Sequence, residues 1–491
     1  AAGVAQVAGK TYPTLQAAID AAQDGETVTL LTDIVLDAQA GAESTLYPQF
    51  TISNKKLTLD MRGHKISYSE ESYAKNYGSA SLLTLSIDKG SDVVITGNGT
   101  IDTELGSNQA YGINVLGGSN LTIDNGTFYG AMTAVQVQKG SLVINDGTFL
   151  MSPTCNEQVP QYAKYIINCI DAAWKDGSAT VSIKGGTFGH DYSNSPEGEG
   201  TSYLAPGYTS VANVDGTFSV AAGVAQVAGK TYPTLQAAID AAQDGETVTL
   251  LGDVEQNSQL AINKDITLDL NGKTIGNTVD IWGDNANAIL SIKNGAKVAI
   301  TGDGTITAKE NDCYTINVVD GDLAIENGTF VGNISVVQVQ KGSLTINGGA
   351  FSLLQKMTDG KGESRYLINC IDDAYADGSA SVAISGGTFV GFDPNVSPEQ
   401  KVDGKAPSFA APGVGITKNE DGSFTAAAGK TAQILDKDGN SVKAYNTLAE
   451  AVAAAQDGQT VTLLADVTED VVISKSITLD LGGKTLTNTD A

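Results

Sequence analysis

Two hydrophobic rhythms alternate along this chain. In TYPTLQAAIDAAQDG (11–25) the apolar residues Leu15, Ala18, Ile19 and Ala22 fall at i, i+3, i+4 and i+7, behind Thr14 as an N-cap and ahead of Gly25 as a stop. The spacing predicts a short amphipathic helix over 14–23, with equivalents over 234–243 and 447–456, the last carrying Leu448, Ala451, Val452 and Ala455. The stripe is narrow and built of small side chains, as suits a helix lying flat across the end of something larger. After each helix the rhythm shortens to two, in brief strands broken by Gly, Asn and Asp.

The short strands repeat. GINVLGGSNLTIDNGTF (112–128), AVQVQKGSLVINDGTF (134–149) and IINCIDAAWKDGSATVSIKGGTF (166–188) all read strand, turn, strand, glycine turn and a Thr-Phe strand start. Leu121 and Leu142 stand 21 residues apart, as do Leu323 and Leu344. A 21-residue period has room for three short strands, which is one turn of a parallel β-helix. On that reading Ile113 and Val115, Val135 and Val137, and Ile167 and Cys169 stack in register on one face. Asn114, Gln136 and Asn168 point outward between them, as do Asn317, Gln338 and Asn369. Stacked amides at one-rung spacing predict a hydrogen-bonded ladder, either a brace between rungs or a polar ligand track. About seven coils per module, at about 4.8 Å per rung, predict a stack of roughly 35 Å.

The same module recurs along the chain. Residues 1–31 return unchanged at 221–251, and a diverged copy follows at 444–464. The marker threonines Thr14, Thr234 and Thr447 are 220 and 213 residues apart. We therefore expect a first module over 1–220, a second over 221–425, and the start of a third over 426–491. The Pro- and Ser-bearing stretches 189–207 and 391–413 read as surface loops near the end of each stack. A β-helix has unpaired backbone at both ends, so the helix at 234–243 is expected to separate two capped stacks, with no strand pairing from 203–220 into 246–254. The chain reads as a fragment, and its third module as the least stable part.

The phrase TLQAAIDAAQDGETVTLL, followed by ITLDLNGKTI and by rungs of the LTIDNGTF kind, resembles the pectin-lyase-like right-handed β-helix. More narrowly, it is similar to the repeat stalks of large adhesin-like surface proteins of gut-dwelling bacteria. The resemblance covers nearly the whole chain. It implies an all-β fold of tandem right-handed parallel β-helices, three strands per coil, each opened by a capping helix. It also implies an extracellular, cell-surface-attached setting, and it is far more specific for fold than for function.

Composition narrows the partners. Asp and Glu total 56 against 29 Lys and Arg, a net charge of −27, which repels nucleic acid and anionic lipid. No run of about 20 apolar residues is long enough to span a bilayer. The cysteines are Cys155, Cys169, Cys313 and Cys370; only Cys169 and Cys370 match between modules, so no disulfide framework repeats.

Candidate chemistry is sparse. A lyase of this fold needs a basic residue beside the substrate carboxylate, yet Arg62 and Arg365 occupy unrelated positions. A hydrolase needs converging carboxylates; the recurring Asp60, Asp269 and Asp480 each stand alone before a turn and read as turn caps. His64 and His190 have no second copies, and DKDGN (436–440) reads as a β-hairpin with an Asp-Gly turn, not a calcium loop. No catalytic residue, metal or cofactor is expected. The best binding surface is the lateral excursion 170–178 and its twin 371–379, with Trp174, Asp171 and Asp176, then Tyr375, Asp372 and Asp377. Tyr162, Tyr165 and Tyr366 lie just upstream. These aromatics either stack on sugar rings or pin the excursion to the wall of the fold.

The functional expectation is a non-enzymatic extracellular stalk or adhesin segment that gives rigid reach. The alternatives are a carbohydrate-binding array and a polysaccharide lyase or hydrolase. Expected partners are host or microbial glycans and further copies of the chain, head to tail.

Overall fold

The computed structural model describes residues 3–37, 46–77, 82–152, 165–194, 202–283, 286–309, 312–354, 366–396 and 407–489. It is an all-β protein assembled mainly by parallel pairing, in two compact units, Ala1–Gly223 and Val224–Ala491. Tyr162, Cys155 and Arg365 lie outside the described residues.

In the first unit the chain visits three sheets in rotation. Glu26–Leu30, Lys56–Asp60, Asp92–Thr96, Ser119–Ile123, Gly140–Ile144 and Ala179–Ile183 join one sheet in chain order. The strands that follow each of them, from Ile34–Leu36 to Gly186–Phe188, join a second. Tyr47–Ser53, Leu82–Asp88, Tyr111–Val115, Thr133–Val137 and Ile167–Cys169 make the third. Register follows the sequence period: Leu121 pairs with Leu142, Ile113 with Val135, and Val137 with Cys169. The second unit repeats the plan, Leu323 pairing with Leu344 and Val339 with Cys370. Among the described residues two of the first unit's sheets hold six parallel strands and the third holds five, one or two fewer than the seven coils expected. Two antiparallel strands extend each of the first two sheets, and none extends the third.

Period-two alternation explains the core. Leu121, Ile123, Leu142, Ile144, Val135 and Val137 are buried between the sheets, and the Thr-Phe strand starts contribute an aromatic column. Phe128, Phe149 and Phe188 stack at centroid separations of 4.9 and 5.1 Å, and Phe330, Phe351 and Phe389 do the same at 5.0 Å. Identical side chains one rung apart reach van der Waals contact without changing rotamer.

The outward amides depart from expectation. Asn114 and Gln136 are buried, as are Asn317 and Gln338, so the outer face of the third sheet is covered. A bond runs along the column in the second unit, from Asn369 Nδ2 to Gln338 Oε1 (2.6 Å), whereas Gln136 Oε1 accepts from Gln138, just past the end of its strand (3.1 Å). The rungs alternate Ser, Asn and Gln, and these side chains differ in reach. A continuous ladder needs the same amide at each level.

Each unit closes its own first end. Ala5–Val7 and Lys10–Tyr12 form a hairpin whose inner strand pairs antiparallel with Glu26–Leu30. The helix Leu15–Ala21 starts at Thr14, whose Oγ1 accepts the Ala17 N–H (3.1 Å), and it buries Leu15, Ala18 and Ile19. Gln16 then acts as a substitute peptide: its Nε2 donates to Thr51 O (2.9 Å) and its Oε1 accepts Thr51 N–H (2.8 Å) on the edge strand of the third sheet. Gln236 does the same for Ala261, at 3.1 and 2.9 Å. Lys55 Nζ caps the helix C-terminus by donating to Asp20 O and Ala22 O (3.0 and 2.6 Å), a cation placed at the negative end of the helix. Lys264 and Lys475 repeat that cap.

At its other end the first unit turns antiparallel, Phe218–Ala222 pairing with both Gly186–Phe188 and Tyr208–Ala212. Each sheet draws its described strands from one unit only, and none joins 203–220 to 246–254. Inside the second unit the third copy begins with a hairpin, Ala432–Leu435 and Ser441–Tyr445, around the DKDGN turn. Asp393 holds this hairpin: its Oδ2 accepts Ser441 N–H and its Oδ1 accepts Ser441 Oγ, both at 2.8 Å. Gln433 Oε1 adds an acceptor for Ile416 N–H (3.0 Å).

Candidate functional site

The excursions singled out in the sequence fold as short helices, Asp171–Lys175 and Asp372–Ala376. Their aromatics turn inward. Trp174 packs on Tyr203 (5.0 Å between centroids), itself stacked on buried Tyr192 (5.7 Å), and Tyr375 packs on buried Phe409 (5.8 Å). Tyr192 also accepts the Ile167 N–H through its hydroxyl (2.7 Å). Trp174 and Tyr375 thus help to close the last rung of each stack. Tyr165 and Tyr366 are half-buried at the entry to the same strands.

The carboxylates of these excursions serve turns. Asp176 accepts Ser178 N–H and Asp377 accepts Ser379 N–H, each at 2.8 Å. Hydrogen bonds from those serines hold both acids below the usual carboxylate range. Asp171 is exposed and Asp372 half-exposed. The repeated strand-end acids behave alike: Asp60 accepts Arg62 N–H (3.0 Å), Asp269 accepts Asn271 N–H (2.9 Å) and Asp480 accepts Gly482 N–H (2.9 Å). Asp436 accepts from Asp438 N–H and Asn440 N–H inside its turn, each at 2.9 Å. His64 leans on Asp33 at the surface (3.1 Å), and His190 lies against Tyr192. Among the described residues no three His, Cys, Asp or Glu side chains converge as a metal site would require.

One feature went unread in the sequence. Asp312 is buried, and its carboxylate collects the loop 277–283: Oδ2 accepts Asn277 Nδ2 (2.7 Å) and Ile281 N–H (2.8 Å), while Oδ1 accepts Trp282 N–H (2.9 Å). Burial raises its pKa, but these donors outweigh that and hold it below the usual value. The clamp presents Trp282 with half its surface in water, edge-on to Tyr314 at 5.6 Å. Beside Asp312, burial and its negative charge push the Cys313 thiol up to about 12, so that thiol stays neutral.

No family model, curated protein or solved structure matches this chain. In the first unit the same place in the round is occupied by a helix, Glu70–Asn76, with Tyr77 exposed after it.

Proposed function

We propose that each unit is a right-handed parallel β-helix with three strands per coil, and that the chain is a non-enzymatic stalk segment acting outside the cell. The rotation of consecutive strands through three sheets supports the coil. A strand that crosses over to a parallel neighbour does so right-handedly in nearly all proteins, which supplies the hand. The spacer role rests on one observation: each unit closes its own first end, through Gln16 or Gln236, beneath an opening sequence repeated without change. Units that protect their own edges can be added in series without altering their neighbours. The excess of acids keeps such a surface soluble and self-repelling.

The test holds the chain at both termini in a force experiment and, separately, incubates it with acidic polysaccharides. The spacer reading expects separate unfolding steps for the two units and no release of unsaturated uronates or new reducing ends. Steady turnover of any such polymer overturns it.

A further inference from the structure

Two sheet edges meet inside the second unit without pairing. Val414–Lys418 is the last strand of the unit's second sheet, and Ser441–Tyr445 is the outer strand of the hairpin that opens the third copy. Edge strands present unused backbone groups, and here side chains take them up. Gln433 Oε1 accepts Ile416 N–H (3.0 Å) and Thr417 Oγ1 accepts Ala444 N–H (3.1 Å), so each edge supplies an acceptor for the other. Ser441 Oγ stands between them. It donates to Asp393 Oδ1 (2.8 Å) and accepts from Gln433 Nε2 (2.9 Å) and Asn395 Nδ2 (3.1 Å), which uses its whole bonding capacity. Gln433 and Ser441 are buried. Gly415 lets the strands come this close: a Cβ there would lie 2.4 Å from the Ala444 Cβ and 2.7 Å from the Lys430 Cβ. Its φ lies outside the left-handed region, so this glycine answers to space and not to backbone conformation.

We infer that the edge Val414–Lys418 is a docking face for the opening hairpin of the following module, and that the third copy keeps its packing only while its hairpin is seated there. A fully satisfied buried network suits one partner geometry and leaves a mismatched hairpin with unpaired groups. The face is particular to this strand. In the first unit the corresponding strand, Tyr208–Ala212, has Thr209 in place of Gly415 and Val211 in place of Thr417, and Val211 is 39% exposed. The partner is particular too, since Ser441 belongs to a longer hairpin than 5–12 or its exact copy 225–232. The dependence follows from what the third copy lacks. Ala449 stands where Gln16 and Gln236 seal the third sheet, and Val472, at the place of Ala261, is 87% exposed. Leu479 and Leu486 are only partly buried, whereas their counterparts Leu268 and Ile275 are fully buried. A core this small needs a staple from outside it, and the seat supplies one. Turnover of a polysaccharide, which would overturn the spacer role, leaves this docking face standing.

The test is native-state amide exchange on the whole chain, which reads local opening. Gly415→Thr installs the first unit's residue at the docking face, and Ser441→Ala removes the hydroxyl from the hairpin side. Each should lower protection of Thr460–Leu463 and of the helix Leu448–Ala454 at least tenfold, while Ala350–Leu353, inside the same sheet as the docking edge, changes less than twofold. Asp438→Ala, in the same hairpin turn, should leave all three segments unchanged. Asp393→Ala and Ser441→Ala together should lose less than the product of their separate factors, because both act on one network. A smaller loss in the third copy for either Gly415→Thr or Ser441→Ala overturns the proposal, as does a comparable loss in Asp438→Ala. Equal loss in Ala350–Leu353 also overturns it, since the third copy and the sheet beneath it would then open as one body.

Discussion

Replacing Gln16 by Ala tests the claim that one amide seals the edge of the third sheet. Its carboxamide makes two hydrogen bonds to the backbone of Thr51, at 2.8 and 2.9 Å, across 35 residues of sequence. Neutral hydrogen bonds contribute about 1 kcal/mol each, so the pair is worth about 2 kcal/mol, or roughly a thirtyfold change in an opening equilibrium. The helix itself should survive, since Leu15, Ala18 and Ile19 still bury its other face. The assay is native-state amide exchange, which reads local opening. Thr51 and its strand Tyr47–Ser53 should lose about thirtyfold in protection, while Ala261, sealed by Gln236 in the other unit, should not change. Gln16→Glu should do no better than alanine, because a carboxylate keeps the acceptor but turns a negative oxygen toward Thr51 O. Unchanged exchange at Thr51 in Gln16→Ala refutes the seal.

Two further outcomes follow from local geometry. Gly140 has φ +127°, and a Cβ there would lie 1.9 Å from Ser119 O, whereas at Gly177, with φ +74°, a Cβ meets nothing within 4 Å. Gly140→Ala should therefore cost the first unit about 3 kcal/mol or more and Gly177→Ala about 1 kcal/mol, read from denaturant midpoints by Trp174 fluorescence in a Trp282→Phe background; equal costs would contradict the close approach. For the loop clamp, Asp312 has a folded pKa below its ordinary 3.8, so the stability it adds is present above that value and fades as pH falls through the folded one. With Trp174→Phe leaving Trp282 as the only tryptophan, its emission should stay constant from pH 7 to about 4 and shift to the red below that; a transition centred near pH 6 would assign the clamp to another group.

The rotation of short parallel strands through three sheets was legible because its signals are local or strictly repeated. Thr14 with its i, i+3, i+4 stripe, the Leu121 to Leu142 interval and the Gly-Thr-Phe starts each declare an element within a few residues or recur after a fixed count. Asp60, Asp269 and Asp480 were readable as turn caps for the same reason, since each acts on a backbone N–H two residues away, and DKDGN was readable as a hairpin turn. The seals were not legible. Gln16 and Lys55 act across 33 to 35 residues, and nothing in LQAAID distinguishes a solvated glutamine from one that completes a sheet. The amides of the third sheet failed in a different way: period two shows that Asn114 faces away from the core, but not that something covers it.

Trp282 was missed for the reason that makes it interesting. Repetition says nothing of what the two modules do not share, and 277–283 differs wholly from SEESYAK at 69–75 although the strands on either side correspond. A rung must match the rungs above and below it, which holds its residues to the 21-residue rule; a loop that leaves the sheets and returns is free of that demand. In a protein whose framework is copied, sequence that the framework does not dictate therefore concentrates in such loops. Tyr77 and Trp282, each about half exposed after the second sheet of its own unit, stand where that reasoning places them.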